Sequence, residues 1–421
     1  MYKFVIEGGI PLKGEVAVSG SKNAALPILC SSILSDGICR YTNIPRLKDI
    51  DTIIKVLSIL GVEIKMDEDN VVSVNPGRIK AFEAPYELVK SMRASILILG
   101  PLLARYKQAK VSLPGGCAIG VRPIDLHLKA LIKMGADIDV SHGYVVAKTS
   151  GLRGERIIFD KPTVGGTENI MMAATLAKGT TVIEGAAREP EIKDLADALN
   201  GMGARIEGAG ESTVVIEGVD SLSGVEHRVI PDRIEAGTFM AAAAITGGLV
   251  EIKGVNVNHL AAVVEKLKEM GVGIVEKGDA SVYVDGRGGV GPIDVETAPY
   301  PGFPTDMQAQ IMALACVAKG ASSITENIFE NRFMHVPELM RMGAQLEEKG
   351  NTVLVKGISR LQGASVMATD LRASASLVLA GLNAKGRTEL RRIYHLERGY
   401  EDLDAKLRML GASIERQVGG I

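Results

Sequence analysis

In 421 residues, 48 Lys and Arg stand against 50 Asp and Glu, a net charge of −2 that leaves no basic footprint for nucleic acid. The chain is long enough for two domains of about 200 residues, yet its longest apolar stretch, residues 94–104, contains Gly100 and Pro101 and falls short of the ~18 residues of a membrane span. Four cysteines at 30, 39, 117 and 316 form no disulfide framework, no Cys or His spacing suits zinc, and the N-terminus lacks a signal peptide, so the sequence points to a reducing cytoplasm.

The first predicted element is a strand, Phe4-Val5-Ile6-Glu7-Gly8. A helix headed by Lys22 follows, with Ser19 or Ser21 as its cap. The next helix ends in residues 57–64, LSILGVEI, a phrase written six times along the chain. It returns at 131–138 (LIKMGADI), 199–206 (LNGMGARI), 267–274 (LKEMGVGI), 339–346 (LMRMGAQL) and 407–414 (LRMLGASI). Each copy has an apolar helix end, a glycine suited to the left-handed C-terminal position, and an apolar alternation entering a strand. The glycines are spaced 74, 68, 68, 72 and 68 residues apart, so the chain repeats one supersecondary unit. Between these landmarks, Arg93 heads a predicted helix, and a strand over 110–113 leads into the loop Pro114-Gly115-Gly116-Cys117-Ala118-Ile119-Gly120 before a helix opening at Pro123. Alanine-rich helices end in small-residue turns followed by β-branched strands at 177–183 (AKGTTVI) and 318–324 (AKGASSI), and 384–388 (AKGRT) opens a third.

Each unit therefore reads as helix, strand, helix, strand, strand, which calls for an α/β sandwich. The last copy has only residues 415–421 after its phrase, ending in Gly419-Gly420, a poor closing strand. The surplus strand at residues 4–8 matches Val215-Ile216-Glu217-Gly218 almost letter for letter and is expected to complete that last unit. Two three-unit domains follow: a continuous one, 22–229, carrying the cysteine loop, and a discontinuous one made of 1–21 and 230–421.

Function is sought where the copies differ. Cys30 and Cys316 sit in apolar helices and read as small hydrophobes. Cys117 lies in a glycine loop with little side chain to pack, near Arg122, which favours a thiolate; an incidental loop cysteine is the alternative. Lys22, Arg93 and Arg372 stand at helix starts, where the dipole disfavours cations by about 0.3–1 kcal/mol each. Three such placements suggest a shared anion, against the plainer reading of solvated cations paired with neighbours such as Asp370. Asp306 and Asp370 each follow a threonine at a helix start, which ordinary N-capping explains, while their equivalent placement leaves room for a base. His127 reads as a packing or structural histidine.

The segments 19–25 (SGSKNAA), 114–127 (PGGCAIGVRPIDLH), 303–308 (FPTDMQ), 330–335 (ENRFMH) and 368–372 (ATDLR) resemble the enolpyruvyl transferases, and the match runs along the whole chain. The resemblance implies a two-domain inside-out α/β barrel of six repeated units, three per domain. The cysteine loop marks the branch acting on UDP-N-acetylglucosamine, in the first committed step of peptidoglycan synthesis, rather than the shikimate 3-phosphate branch. It implies two small-molecule substrates, phosphoenolpyruvate and UDP-N-acetylglucosamine, and neither metal nor cofactor. Lys22, Arg122 and Arg398 would hold phosphoenolpyruvate, with Asn23, Arg93, Arg332 and Arg372 close by. Cys117 would protonate C3, Asp306 would take the sugar hydroxyl proton, and Lys22 would assist catalysis. Asn23, Arg93, Asp306 and the Ile328 backbone would hold the sugar; Arg122, Pro123, Ile124, Asp125 and Leu126 the uridine; and Lys161, Thr163, Val164 and Gly165 the diphosphate, in a loop that Gly165-Gly166 opens to close backbone approach. A non-enzymatic six-unit ring of the sliding-clamp kind is the remaining alternative; it would need a basic inner face, whereas the unusual cations here concentrate at a few helix starts beside glycine-rich loops, which suits a small anion better.

Overall fold

The computed structural model describes residues 2–77, 79–89, 92–113, 124–278 and 280–419. They fall into two units, one of residues 2–19 and 231–419, the other of residues 20–113 and 124–230. Each unit holds three four-stranded sheets, and all six sheets share one strand order. In a representative sheet Arg156–Ile158 runs parallel to Thr180–Glu184, which pairs antiparallel with Thr213–Glu217, and Arg205–Glu207 closes the far edge. The register sets Ile183 opposite Val214, both fully buried, while flanking residues face outward.

The recurring phrase does the same work in every unit. Gly61, Gly135, Gly203, Gly271, Gly343 and Gly411 have φ of 103°, 98°, 104°, 92°, 87° and 91°, the left-handed turn that ends a helix and launches a strand. The helix before it is amphipathic: Lys48–Leu60 buries Ile50, Ile53, Val56, Leu57 and Leu60 and leaves the opposite face to solvent. The other helix of each unit is apolar on every side. Arg233–Thr246, Gln308–Ala315 and Leu371–Asn383 are buried almost throughout and pack on one another at the centre of the first unit. Each large apolar side chain buried there contributes roughly 1.5–3 kcal/mol. Sheets lie outside helices, so each unit is an inside-out α/β assembly of three repeats. In the second unit Leu99–Tyr106 packs on Val164–Ala174 at Gly100, where any side chain would collide with the Asn169 carbonyl and amide oxygens.

Tyr2–Glu7 lies between Arg387–Arg391 and Ser413–Val418, antiparallel to both, in the closing place of the last sheet. Residues 413–418 form the strand that the sixth phrase enters, at the outer edge of this sheet as Arg205–Glu207 is in its own, so the closing place falls to Tyr2–Glu7. One feature departs from the sequence reading. Every sheet carries a parallel edge strand that the three-strand reading omits, such as Asp294–Glu296 beside Ala321–Thr325. In two sheets that strand comes from a distant part of the sequence. Lys13–Ala17 pairs with Leu249–Lys253, and Glu226–Arg228 pairs with Cys39–Thr42. No helix of the described residues is long and apolar enough to cross a membrane.

Candidate functional site

In the first unit the chemistry gathers around Asp306. The sequence allowed it to be a helix cap, and the structure corrects this. Pro304 holds the N-cap position of the short 3-10 helix Thr305–Met307, which carries no side-chain cap. Arg332 Nη2 donates to Asp306 Oδ1 at 2.6 Å and Arg372 Nη2 to Oδ2 at 3.3 Å, so one carboxylate spans two guanidiniums. Both arginines are buried, and the Asp306 side chain is 28% exposed. Asp370, in contrast, is a true cap: its Oδ1 accepts from the Arg372 and Ala373 amides at the start of Leu371–Asn383.

Burial works against the charge on Arg372, but Tyr400, Asp306 and Asp232 more than offset it and hold the guanidinium charged. Its carbon sits 5.3 Å from the centre of the Tyr400 ring, and the Tyr400 hydroxyl is tied to Thr238 at 2.9 Å and to Gln310 at 3.3 Å. Arg372 Nη1 is buried with no hydrogen-bond partner among the described residues. A buried guanidinium N–H left unsatisfied is costly, and an anionic ligand would satisfy it. Arg398 ends the 3-10 helix Ile393–Arg398, two residues before Tyr400; with burial, its charge lowers the pKa of His395. His335 is pushed down to about 4, by burial first and the Arg332 charge next, against the opposing pull of Asp370. Ile328 lies in the turn after Ala321–Thr325, its amide donating to Glu326 Oε1 at 2.8 Å.

In the second unit Lys22 opens the helix Lys22–Ser31, capped by Ser21, and its ammonium lies 3.4 Å from Asp49. Asn23 is the next residue and is partly exposed. Arg93 heads a 3-10 helix, Arg93–Ile98, rather than an α-helix. Its charge, after burial, helps push His127 down to about 4. His127 Nδ1 meets Asn169 Nδ2 at 3.1 Å, and Asn169 also binds the Ile96 carbonyl and the Gly100 amide. The histidine is thus neutral and structural. It also gathers candidate residues. Asp125 begins the helix Asp125–Lys133 with Ile124 at its cap position; the carboxylate takes Lys129 at 3.2 Å on Oδ2, while Oδ1 is buried with no partner among the described residues. Leu126 follows, partly exposed. Gly165 abuts the imidazole, and a Cβ there would stand 3.2 Å from His127 Cε1.

The stretch expected as a glycine loop is the first turn of Val164–Ala174, with Thr163 capping Gly166 at 3.2 Å. Its glycines serve close packing against His127 and Thr163, and its amides form the positive end of a helix. Lys161 and Val164 are exposed there. Cys117, Arg122 and Pro123 lie outside the described residues. Cys30, Cys39 and Cys316 are buried and free; burial drives the Cys30 thiol pKa well up and that of Cys316 to about 12, leaving both inert. Among the described residues no group of three or more His, Cys, Asp or Glu suits a metal ion. Sequence reasoning missed Asp49, Tyr400 and Glu326 as partners of the candidate residues.

Comparison with known proteins adds to this geometry. Residues 6–407 match the family model of EPSP synthase (3-phosphoshikimate 1-carboxyvinyltransferase). The chain is 59% identical over 416 residues to a UDP-N-acetylglucosamine 1-carboxyvinyltransferase of Geotalea uraniireducens (strain Rf4), covering 99% of each chain. It is 60% identical over 416 residues to a protein of the same name from Geobacter metallireducens (strain ATCC 53774 / DSM 7210 / GS-15), again covering 99% of each. The crystal structure of the enolpyruvyl transferase NikO from Streptomyces tendae superposes with a TM-score of 0.90 at 27% identity, covering 100% of this chain and 99% of that one. An EPSP synthase from Acinetobacter baumannii gives 0.77 at 19% identity over 99% and 100%, a likeness of fold alone.

Proposed function

Since the chain belongs to the EPSP synthase family of enolpyruvyl transferases, we propose that it transfers the enolpyruvyl group of phosphoenolpyruvate to the 3-hydroxyl of UDP-N-acetylglucosamine, releasing phosphate. The observation that carries the choice of acceptor is identity near 60% over almost the full length of relatives with that activity in their names. Shikimate 3-phosphate as acceptor rests on likeness of fold alone.

The reaction is an addition followed by an elimination. The sugar oxygen bonds to C2 of phosphoenolpyruvate, its proton passes to a base, and C3 gains a proton. The tetrahedral adduct then loses a proton from C3 and expels phosphate, restoring the double bond. Asp306 is the base: its carboxylate lies between two guanidiniums and is partly exposed, while neighbouring charges hold Arg372. Cys117 is the acid at C3. Lys22, Arg122, Arg332, Arg372 and Arg398, with Arg93 and Asn23, receive the phosphate and carboxylate of phosphoenolpyruvate and stabilise the charge that develops. Arg122, Pro123, Ile124, Asp125 and Leu126 hold uridine, and Asp125 Oδ1, which has no partner among the described residues, suits an imide N–H. Lys161, Thr163, Val164 and Gly165 meet the diphosphate at a helix N-terminus. Asn23, Asp306 and the Ile328 backbone take the sugar.

This activity belongs to the first committed step of peptidoglycan synthesis, in the cytoplasm, and so bears on cell shape and division. The test is product analysis after incubation with both substrates in D2O. The reading requires a 3-O-enolpyruvyl ether of the sugar nucleotide with deuterium at C3. An unmodified sugar, or label elsewhere, would refute it.

A further inference from the structure

We infer that Glu326, a residue outside the substrate-binding set, is the positioning residue that orients Arg332 on Asp306 and at the same time fixes the Ile328 backbone. The inference rests on the reading of Asp306 as the base.

The six repeats make the residue conspicuous. One position lies just past the central strand of every sheet, and Asn43, Leu113, Gly185, Gly254, Glu326 and Arg392 occupy it. In four copies the chain turns there with positive φ: 60° at Asn43, 71° at Gly185, 75° at Gly254 and 58° at Arg392. Glu326 departs from that turn and places a carboxylate in the interior, 3% exposed. A buried carboxylate persists only where donors surround it. Here the described residues supply four. Oε1 accepts from the Thr297 hydroxyl at 2.9 Å, the Ile328 amide at 2.8 Å and the Phe329 amide at 3.1 Å; Oε2 accepts from the Thr305 hydroxyl at 2.8 Å.

Proton bookkeeping gives the arrangement its direction. A hydroxyl has a single proton, and Thr305 donates it to Glu326 Oε2, so that proton is committed there. The Thr305 oxygen therefore presents lone pairs elsewhere, and Arg332 Nη1 donates to it at 2.8 Å. With one nitrogen held there, the planar guanidinium directs Nη2 at Asp306 Oδ1, 2.6 Å away. Thr297 is oriented in the same way: it donates to Glu326 and accepts from the Asn327 amide at 2.8 Å. One side chain thus orders both the partner of the base and the turn bearing Ile328.

The test is a double-mutant cycle in the full-length enzyme, with turnover and KM for each substrate measured at fixed pH. Glutamine at 326 keeps the two amide contacts only by turning its NH2 toward Thr305, which leaves the Thr305 proton without its acceptor. Glu326→Gln and Thr305→Val are each expected to lower kcat by roughly tenfold, with KM for both substrates changed less than about threefold. The double variant should be no worse than the poorer single, because both break the same chain of contacts. Thr305→Ser, which restores the hydroxyl, should recover most of the Thr305→Val loss. Circular dichroism and thermal melting establish that each variant is folded. Losses that multiply in the double variant, a Thr305→Val enzyme with normal kcat, or failure of serine to rescue would overturn the inference. Asp306→Asn, assayed in parallel, separates it from the reading on which it rests. Additive losses with an inactive Asp306→Asn protein remove the role of Glu326 alone, whereas coupled losses with an active one remove the base assignment and leave Glu326 orienting Arg332.

Discussion

Removing the Asp306 carboxylate should destabilise the protein as well as slow it. Asp306→Ala leaves the Arg332 and Arg372 side chains, only 6% and 4% exposed, facing each other without their shared anion. Breaking a buried ion pair from one side typically costs about 3–5 kcal/mol, and the 28% exposure of Asp306 places this case near the lower end, at about 3 kcal/mol. For a unit of this size, each kcal/mol moves the melting midpoint by about 2–4 °C, so the transition should fall by about 6–12 °C. Differential scanning calorimetry reads the shift directly. Inorganic phosphate, an anion able to lie between the two guanidiniums, should narrow the gap to wild type. Asp306→Asn preserves shape and one acceptor oxygen, so it should melt closer to wild type yet turn over roughly 10²-fold more slowly or worse. An Asp306→Ala protein melting within about 2 °C of wild type, or an Asp306→Asn protein with near-normal turnover, would refute the reasoning.

Cys117→Ser should lose most turnover, because serine is a far weaker acid. Cys117→Asp should keep it while escaping alkylation by a small anionic epoxide such as fosfomycin, with a pH optimum moved lower, as expected from thiol and carboxyl pKa values of ~8.5 and ~3.9; a folded but inactive Cys117→Asp protein would show that sulfur itself is needed. His127, pushed down to about 4 by burial and the Arg93 charge, favours folding while neutral. Its contribution is complete above the unfolded value near 6.5 and is lost as pH falls toward 4, by up to about 3 kcal/mol. Chemical denaturation of His127→Gln should show a flatter pH dependence across that window, and an unchanged slope would count against this cause. Gly165→Ala drives a methyl to 3.2 Å from an imidazole that Asn169 holds in place, so stability should fall by about 1 kcal/mol and KM for UDP-N-acetylglucosamine should rise. A variant with unchanged KM would detach this turn from the sugar nucleotide.

The repeats were legible because a left-handed helix end leaves a mark that few residues other than glycine can make, and six glycines stand at those ends. The edge strands were not. Arg156–Ile158, Glu226–Arg228 and Asp294–Glu296 have three residues each, too few for alternation to register, and parallel pairing with another strand, across one α-helix for the first and last and with distant Cys39–Thr42 for the second, holds them. Lys13–Ala17 has five, but Gly14 and its polar neighbours mask it. At the site, residue types were readable and partners were not. Thr305-Asp306 and Thr369-Asp370 look alike in sequence, yet only Asp370 caps a helix, while Asp306 is turned toward Arg332 from another segment. A signal for Glu326 was present: among Asn43, Leu113, Gly185, Gly254 and Arg392 at the equivalent turn, it is the one acidic residue.

The most direct test measures phosphate release from phosphoenolpyruvate with one acceptor at a time. Release matched mole for mole by consumption of UDP-N-acetylglucosamine, with none from shikimate 3-phosphate, is the result predicted here. Release with shikimate 3-phosphate instead, or with neither acceptor, would contradict the proposed function.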